Sequence, residues 1–393
     1  MQRGVDRRAM ATLSVGHATT DLSSGAVSAL LVFLRPELGL SFTEVAAVIL
    51  ASTLASSVVQ PVFGLLSDRR GAIWLLPGGV AVSGVGIALA AVAPSYLLVL
   101  LCVLASGVGI AAYHPEASKF ASFVSGDRRA SGMSLFSIGG NIGFALGPLL
   151  TSSLVLWLGL EGGLLLAVPA VVMAASFLWL SRYLLEFEPA RRGGLQLTAG
   201  EDRRGALSLL LTIIALRSVG HMGLFTFVPL WEVEQGSDEG AGSRVLTLFL
   251  VGGAIGTLVG GPIADRIGRR VVVSGSLALS IPLIGVYVLV GGGGGVVALT
   301  CAGAMLVSSF AVTIVMSQDY LPTRVGLASG LAIGFAIGLG GVAAIILGSV
   351  ADAIDLRIAM LATMSGPVLG ALLTFVLPSS RRPMEQRVLE APA

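Results

Sequence analysis

Charged residues are scarce in this sequence. Of its 393 residues only 12% are Asp, Glu, Lys or Arg, whereas 55% are hydrophobic, and the mean hydropathy is +0.92. A soluble protein of this length needs a far more charged surface, so the composition excludes a soluble fold. The formal net charge of +2 also gives a nucleic-acid partner no electrostatic support.

Residues that carry enzyme or cofactor chemistry are scarce as well. The chain has two cysteines, Cys102 and Cys301, and three histidines that are too scattered along the sequence to predict a metal cluster. The sequence contains no G-x-x-x-x-G-K-[ST] loop for ATP and no G-x-S-x-G turn for a nucleophilic serine. We therefore expect no enzyme activity, no cofactor, no metal and no direct use of ATP.

Long apolar blocks separated by short polar turns are abundant. A helix needs about 20 mainly apolar residues to cross the hydrocarbon core of a membrane. The 53 glycines suit close helix packing in lipid. The pattern predicts an all-α membrane protein with twelve spans, at residues 9–34, 42–66, 73–93, 95–117, 129–156, 160–183, 206–231, 243–264, 271–291, 295–318, 325–350 and 355–377.

Basic residues are distributed unevenly between the two sides of this predicted arrangement. If both chain ends lie on one side, that side holds 20 of the 24 basic residues, and the other side holds only Arg35, Arg244 and Arg357. Arg217 falls inside a span. Because basic loops remain in the cytoplasm, we expect both termini to be cytoplasmic.

Three short motifs occur twice in the same order. They are G-x-x-x-D-R-x-G at 64–71 and 261–268, S-V-G-H at 14–17 and 218–221, and A-S-G at 130–132 and 328–330. This repetition predicts two related six-helix bundles, residues 1–185 and 206–393, around a central cavity. A polar cytoplasmic linker at 186–205 joins them, and a short cytoplasmic tail ends the chain.

Two six-helix halves with G-x-x-x-D-R-x-G in each resemble the major facilitator superfamily, or MFS. The resemblance implies a substrate site between the halves and rocker-switch alternating access. A narrower resemblance is carried by Y-H-P-E-A-S-K at 113–119, S-L-F-S-I-G-G-N-I-G at 134–143 and L-G-P-L at 146–149. These segments resemble the fosmidomycin-resistance branch, bacterial inner-membrane proteins regarded as drug exporters driven by proton antiport.

Span 5 also resembles the antiporter motif of drug exporters, through Asn141, Gly143, Gly147 and Pro148. The match is partial, because Thr151 and Ser152 stand where that motif ends in two glycines. Span 4 also lacks the arginine found in the multidrug exporters. Any proton route must therefore use other residues.

The resemblance further implies a cytoplasmic gate. Its motif residues are Gly64, Asp68, Arg69, Gly71, Gly261, Asp265, Arg266 and Gly268. Gly64 and Gly261 would allow close helix approach, and Asp68 and Asp265 would face the amino ends of spans 11 and 5. The alternative for the arginines is that they only fix the topology.

His114, Glu116 and Lys119 are predicted to end span 4 at the same rim, because Pro115 favours a kink or a helix end. Glu116 would pair with Lys119 or with Arg69 as a gate contact, or else form a solvated rim pair. Asp319, at the end of span 10, has the same two interpretations.

Ionisable groups inside the membrane are costly, so they are candidate functional residues. His17 and Asp21 share one face of span 1, and Arg217 and His221 share one face of span 7. We hypothesise that Asp21 and Arg217 face each other across the cavity as a proton and substrate site. The alternatives are a permanent ion pair, or a hydrated vestibule lined by His17 and Asp21.

These patterns favour a proton-coupled exporter of a small molecule that acts in the lipid bilayer and suffices as a monomer. The alternative on the same fold is a proton-coupled importer of a small metabolite, anionic ones included. A transport-inactive receptor ranks lower, because it would have lost the intramembrane ionisable groups and the loop motif.

Overall fold

A computed structural model describes residues 5–70, 72–125, 129–187, 201–322 and 325–378. Helices account for nearly all of these residues, and none of them is in a strand. The α-helices are α1 Arg7–Leu38, α2 Phe42–Val58, α3 Gln60–Arg70, α4 Leu75–Ala91, α5 Tyr96–Val124, α6 Arg129–Leu158, α7 Ala167–Leu185, α8 Arg204–Glu234, α9 Glu239–Ile267, α10 Arg269–Leu289, α11 Gly292–Ser308, α12 Phe310–Tyr320, α13 Val325–Ala353, α14 Leu356–Ala362 and α15 Ser365–Leu373. Two segments are 3-10 helices: Leu160–Leu166 precedes α7, and Thr374–Val376 follows α15.

These helices form the twelve predicted spans. Four spans are composite: α2 with α3, the segment Leu160–Leu166 with α7, α11 with α12, and α14 with α15. Nine stretches of the described chain are long and apolar enough to cross a membrane, and α4 and the last part of α13 are shorter apolar helices. The remaining span is α1, which carries eight Ser, Thr, His and Asp side chains between Thr12 and Ser24. It tolerates them because it packs against α4, α5, α6 and α7 rather than standing in lipid.

Local sequence fixes the ends of the first two helices. The carboxylate of Asp6 accepts a hydrogen bond from the Ala9 amide at 2.8 Å and caps α1. Gly39 ends α1 in the left-handed region, at φ 64°, which glycine adopts without steric cost. Ser41 and Glu44 then form a capping box that begins α2. The turn from span 1 to span 2 is therefore encoded within about six residues.

A row of glycines on α6 lets α1 pack against it at backbone distance. A Cβ atom at Gly139 would lie 2.2 Å from the Ser14 carbonyl oxygen, and one at Gly143 would lie 1.9 Å from that of Ala18. Gly147 meets the Leu22 carbonyl oxygen at 2.6 Å in the same way. The antiporter-like glycines thus form a helix-packing surface of the small-xxx-small kind. Pro148 is buried within α6, and Asn141 is half-buried.

The two halves meet mainly through α2 with α13 and α6 with α9. We call the face where the described chain begins and ends the terminal face, and the other the opposite face. At the opposite face Arg35 lies 3.6 Å from Glu234, and Asp352 of α13 binds the first residues of α2. In contrast, the described part of α3, which continues span 2 to the terminal face, packs mainly on α2 and α5 of its own half. Among the described residues, the contacts between the halves therefore lie mainly toward the opposite face, and the cleft between the halves widens toward the terminal face.

The predicted end of span 4 is wrong. We expected Pro115 to kink or end the helix near residue 117, yet α5 continues to Val124. Proline removes one amide donor, but helices in lipid tolerate this where neighbouring helices support them. His114 consequently lies about 15 Å of helix length from the end of α5. It belongs to the interior of the bundle, not to its rim.

The α1–α6 contact gives a stability test. We expect Gly143→Ala to lower the free energy of unfolding by about 1–3 kcal/mol, because its Cβ would overlap the Ala18 carbonyl. Gly275→Ala in α10 is the control, since a Cβ there meets nothing within 4 Å. Thermal unfolding of the purified variants in detergent measures both. Equal midpoints for the two variants would contradict the packing described here.

Candidate functional site

His17, Asp21 and His114 form one compact cluster between α1 and α5. The Nε2 atom of His17 lies 3.2 Å from Asp21 Oδ2, and that of His114 lies 3.1 Å from Asp21 Oδ1. The two Nε2 atoms are 3.2 Å apart. His17 and Asp21 reach this position because residues four apart share a helix face. His114 reaches it because α5 crosses α1 at this depth.

The hydrogen bonds of the two rings fix their chemistry. His17 Nδ1 lies 2.8 Å from the Phe136 carbonyl oxygen, and His114 Nδ1 lies 2.9 Å from that of Ile110. A carbonyl oxygen only accepts, so both Nδ1 atoms carry hydrogen. In a neutral imidazole the Nε2 atom is then a bare acceptor. Two such acceptors and a carboxylate cannot meet at 3.1–3.2 Å without a positive charge between them, so the cluster is built to hold a proton or another cation.

The surroundings of the cluster are tight on one side and accessible on the other. Gly140 of α6 lies against it, since a Cβ there would be 2.5 Å from the His17 ring and 2.7 Å from Asp21 Oδ2. The Phe136 ring stacks on His17 at 4.1 Å. The side chains of His17, Asp21 and His114 nevertheless remain 11%, 19% and 20% exposed. Small ions can therefore reach the cluster from water.

The geometry also corrects the expectation that the histidines are too scattered to form a metal cluster. One ligand atom each from His17, Asp21 and His114 lies within 4.8 Å of the others, so their arrangement could hold one divalent ion. Sequence separation conceals this proximity, because the two histidines are 97 positions apart in the chain. The third histidine, His221, is in the other half and does not join them.

The cluster lies next to the closed end of the cleft. One helical turn beyond Gly140, the Phe144 ring stacks on Phe225 of the other half, with centroids 5.3 Å apart. The Phe144 backbone also packs against Gly25, one turn beyond Asp21. This aromatic pair separates the cluster from the sealed opposite face.

Arg217 does not pair with Asp21 in the described residues, so the alternative of a permanent Asp21–Arg217 ion pair is wrong for this conformation. Arg217 is 6% exposed, and its guanidinium donates to the Leu306 carbonyl oxygen at 3.4 Å and lies 5.3 Å from the centre of the Phe310 ring. Both partners flank the break at Ser309 between α11 and α12. The carbonyl end of a helix carries partial negative charge, which stabilises a cation there.

His221 occupies the position in α8 that matches His17 in the repeat, but its environment differs. Its ring packs 5.5 Å from Phe249, and its Nδ1 atom has no hydrogen-bond partner in the described part of the chain. The repeated S-V-G-H motif therefore gives a polar cluster in the first half and an apolar contact in the second.

Glu116 and Lys119 pair as predicted, but they are not a solvated rim pair. Lys119 Nζ lies 2.8 Å from Glu116 Oε2, and the Glu116 side chain is only 1% exposed. Asp319 pairs with Arg269, which immediately follows the second loop motif. Both ion pairs join residues of the same half. They stabilise each bundle near the terminal face and do not bridge the cleft.

The loop motif is only partly within the described residues. Gly71 and the side chains of Asp68, Arg69 and Asp265 lie outside them. A Cβ at Gly64 would meet only Pro115, at 3.8 Å, and one at Gly261 would meet nothing within 4 Å. Among the described residues, neither glycine shows the expected close helix approach. Gly268 has φ 99° and requires glycine for its turn, and Arg266 is exposed.

The comparisons with known proteins agree with this architecture. Residues 13–332 match the model of the Major Facilitator Superfamily. The chain belongs to the major facilitator superfamily. It is 34% identical over 387 residues to an uncharacterised MFS-type transporter, YfnC, of Bacillus subtilis (strain 168), covering 94% of this chain and 92% of the relative. It is 32% identical over 381 residues to the fosmidomycin resistance protein of Escherichia coli (strain K12), covering 95% and 93%.

A solved structure shows the same fold. A bacterial homologue of the human lysosomal transporter Spinster, in an inward-facing and occupied conformation, has a TM-score of 0.78. The sequence identity is 15%, over 94% of this chain and 96% of that one. The predicted MFS fold of two six-helix bundles is confirmed, and so is the expectation that this MFS protein is a transporter and not an enzyme.

The environment of Arg217 leads to a double-mutant test. Because Arg217 has no carboxylate partner among the described residues, we expect Arg217→Met to change the free energy of unfolding by less than about 1 kcal/mol. We also expect its effect to add to that of Asp21→Asn within about 0.5 kcal/mol. Chemical unfolding of both single variants and the double variant measures this. A coupling energy above about 1 kcal/mol would show that Asp21 and Arg217 do interact and would contradict the environment of Arg217 described here.

Proposed function

We propose that this chain is a proton-coupled exporter of small molecules, an H⁺ antiporter of the bacterial inner membrane that works by rocker-switch alternating access. The observation that carries the proposal is the convergence of His17, Asp21 and His114 on one cation position beside the cleft. The E. coli relative that matches 95% of the chain is named for fosmidomycin resistance. A transporter that protects a cell must lower the drug concentration inside it.

The proposed orientation places the terminal face in the cytoplasm. The basic residues of the loops lie mainly at this face, as the positive-inside rule requires. Glu234, Asp238 and Glu239 lie at the opposite face. With this orientation, the cleft is open to the cytoplasm, where an exporter takes up its substrate.

The cluster supplies the coupling. With the cleft open to the outside, a proton enters and is shared among the two Nε2 atoms and the Asp21 carboxylate. With the cleft open to the cytoplasm, the proton leaves, and the three acceptors that remain repel one another. Substrate binding in the cleft then accompanies the return to the outward-open state. Protons and substrate therefore move in opposite directions.

Packing explains how proton loss reaches the helices. His17 and Asp21 belong to α1, His114 belongs to α5, and Gly140 holds α6 against both α1 side chains. A change in repulsion between α1 and α5 therefore acts on α6, whose Phe144 contacts the other half. On α6, the residue that touches the protonation site, Gly140, is one helical turn from Phe144, which contacts Phe225.

Resistance to fosmidomycin tests the proposal in a sensitive strain. We expect the parent to raise the inhibitory concentration, an uncoupler to abolish this effect, and Asp21→Asn or His114→Gln to reduce resistance to the vector level, because each removes part of the proton site. Asp238→Asn is the control, since it removes an exposed carboxylate at the opposite face. Immunoblots of membranes must show equal amounts of every variant.

Each other outcome has a defined meaning. Increased sensitivity on expression would indicate the importer instead. Full resistance in Asp21→Asn would exclude the cluster as the coupling site. A metal chelator that abolishes resistance without changing the proton gradient across the membrane would indicate that the cluster holds a metal ion and not a proton.

The loop motif is proposed as the cytoplasmic gate that closes in the outward-open state. We expect Asp68→Asn to preserve expression and insertion but to reduce transport at least tenfold, because the amide lacks the charge that a helix amino end attracts. Uptake of fosmidomycin into inside-out vesicles measures this. Undiminished uptake would leave the motif with a role in topology alone.

A further inference from the structure

Asp352, near the end of α13, forms a contact between the halves that the sequence did not indicate. Its Oδ1 atom accepts a hydrogen bond from the Phe42 amide at 2.8 Å. Its Oδ2 atom accepts from the Thr43 amide at 2.9 Å and from the Thr43 hydroxyl at 2.6 Å. The carboxylate of one half thus binds the amino end of a helix of the other half.

These bonds complete the cap of α2. The first amides of a helix have no partner within the helix. The first three amides of α2 are those of Phe42, Thr43 and Glu44. The Ser41 hydroxyl of the same half accepts a hydrogen bond from the Glu44 amide at 3.1 Å, so the capping box satisfies one of these three amides. Asp352 satisfies the other two. The amino end of α2 is therefore fully capped only while the two halves are closed at the opposite face.

The backbone packing beside this contact is equally specific. A Cβ at Gly348, one turn before Asp352, would lie 2.8 Å from the Phe42 carbonyl oxygen. A Cβ at Gly341 would lie 2.6 Å from a Leu50 methyl group. These two glycines let α13 follow α2 closely over about two turns. Opening the opposite face must separate the two helices and expose the α2 amides.

The contact is nevertheless reversible. Asp352 is exposed, so water can replace its hydrogen bonds when the helices separate. A charge-assisted bond at a solvated edge contributes less than a buried one. This combination suits a contact that must form and break in every transport cycle.

We propose that Asp352 and the amino end of α2 form a latch that holds the opposite face closed and sets how often the transporter opens there. The proposal rests on the alternating access of the proposed function, but not on its substrate or its coupling ion. The latch acts through a helix-capping bond, so Asp352 is a positioning residue.

Distances between spin labels at the opposite face test the latch without any substrate. Cys102 and Cys301 are first replaced by serine, and labels are attached at Ser95→Cys and Arg357→Cys, which are exposed positions in different halves. In the parent we expect one dominant, short distance. In Asp352→Ala we expect the population with a longer distance to rise about tenfold.

Matched variants separate the latch from general destabilisation. Asp238→Asn alters a carboxylate that caps α9 at the same face within one half, and it should leave the distances unchanged. Thr43→Val removes the hydroxyl, which contacts Asp352 and, at 3.4 Å, the Ser349 hydroxyl, but keeps the Thr43 amide. It should give an intermediate shift, and it also serves as the test if Asp352→Ala fails to fold. Asp352→Glu should partly restore the short distance.

Distances in Asp352→Ala and Thr43→Val that equal those of the parent would overturn the latch. An equal lengthening in Asp238→Asn would do the same. Absence of fosmidomycin resistance would contradict the proposed substrate alone, because the distance measurement needs no transport.

Discussion

The central constraint in this molecule is that two imidazoles and a carboxylate share one position inside a membrane. The backbone carbonyls of Phe136 and Ile110 hold the Nδ1 hydrogens, so the bare Nε2 atoms must face each other and Asp21. Because the three side chains are only 11–20% exposed, little water is available to weaken the repulsion among three converging acceptors. A proton or another cation stabilises this arrangement, and its loss changes the forces between the helices that carry the three side chains.

The glycines of α6 make that sensing possible. Gly139, Gly143 and Gly147 bring α1 to backbone distance, and Gly140 places α6 directly on His17 and Asp21. The same helix carries Phe144, whose ring closes the cleft against Phe225. A helix with larger side chains at these positions would keep α1 away and would isolate the cluster from the interface between the halves. Close packing and proton chemistry thus depend on the same short segment.

The two halves share a fold but differ in chemistry. The first half places two histidines and an aspartate together, whereas the second half buries Arg217 at a helix break and His221 against Phe249. The opposite face is asymmetric as well, because Asp352 caps α2 across the interface. Internal repetition therefore predicts where the helices lie, whereas the residues that differ between the two repeats decide the chemistry of each half.

The sequence by itself determined the helices, their number and the family, because apolar block length, turn residues and repeated motifs are local properties of the chain. It also identified His17, Asp21, Glu116 and Lys119 as residues to examine. The sequence also named Lys119 as a possible partner of Glu116, but only the tertiary structure decided the partners of Asp21 and Arg217. His114 joins Asp21 because α5 passes through Pro115 without ending, and Arg217 turns to Leu306 because α11 breaks beside it. Such pairings depend on how helices cross, and helix crossing depends on contacts between residues far apart in sequence.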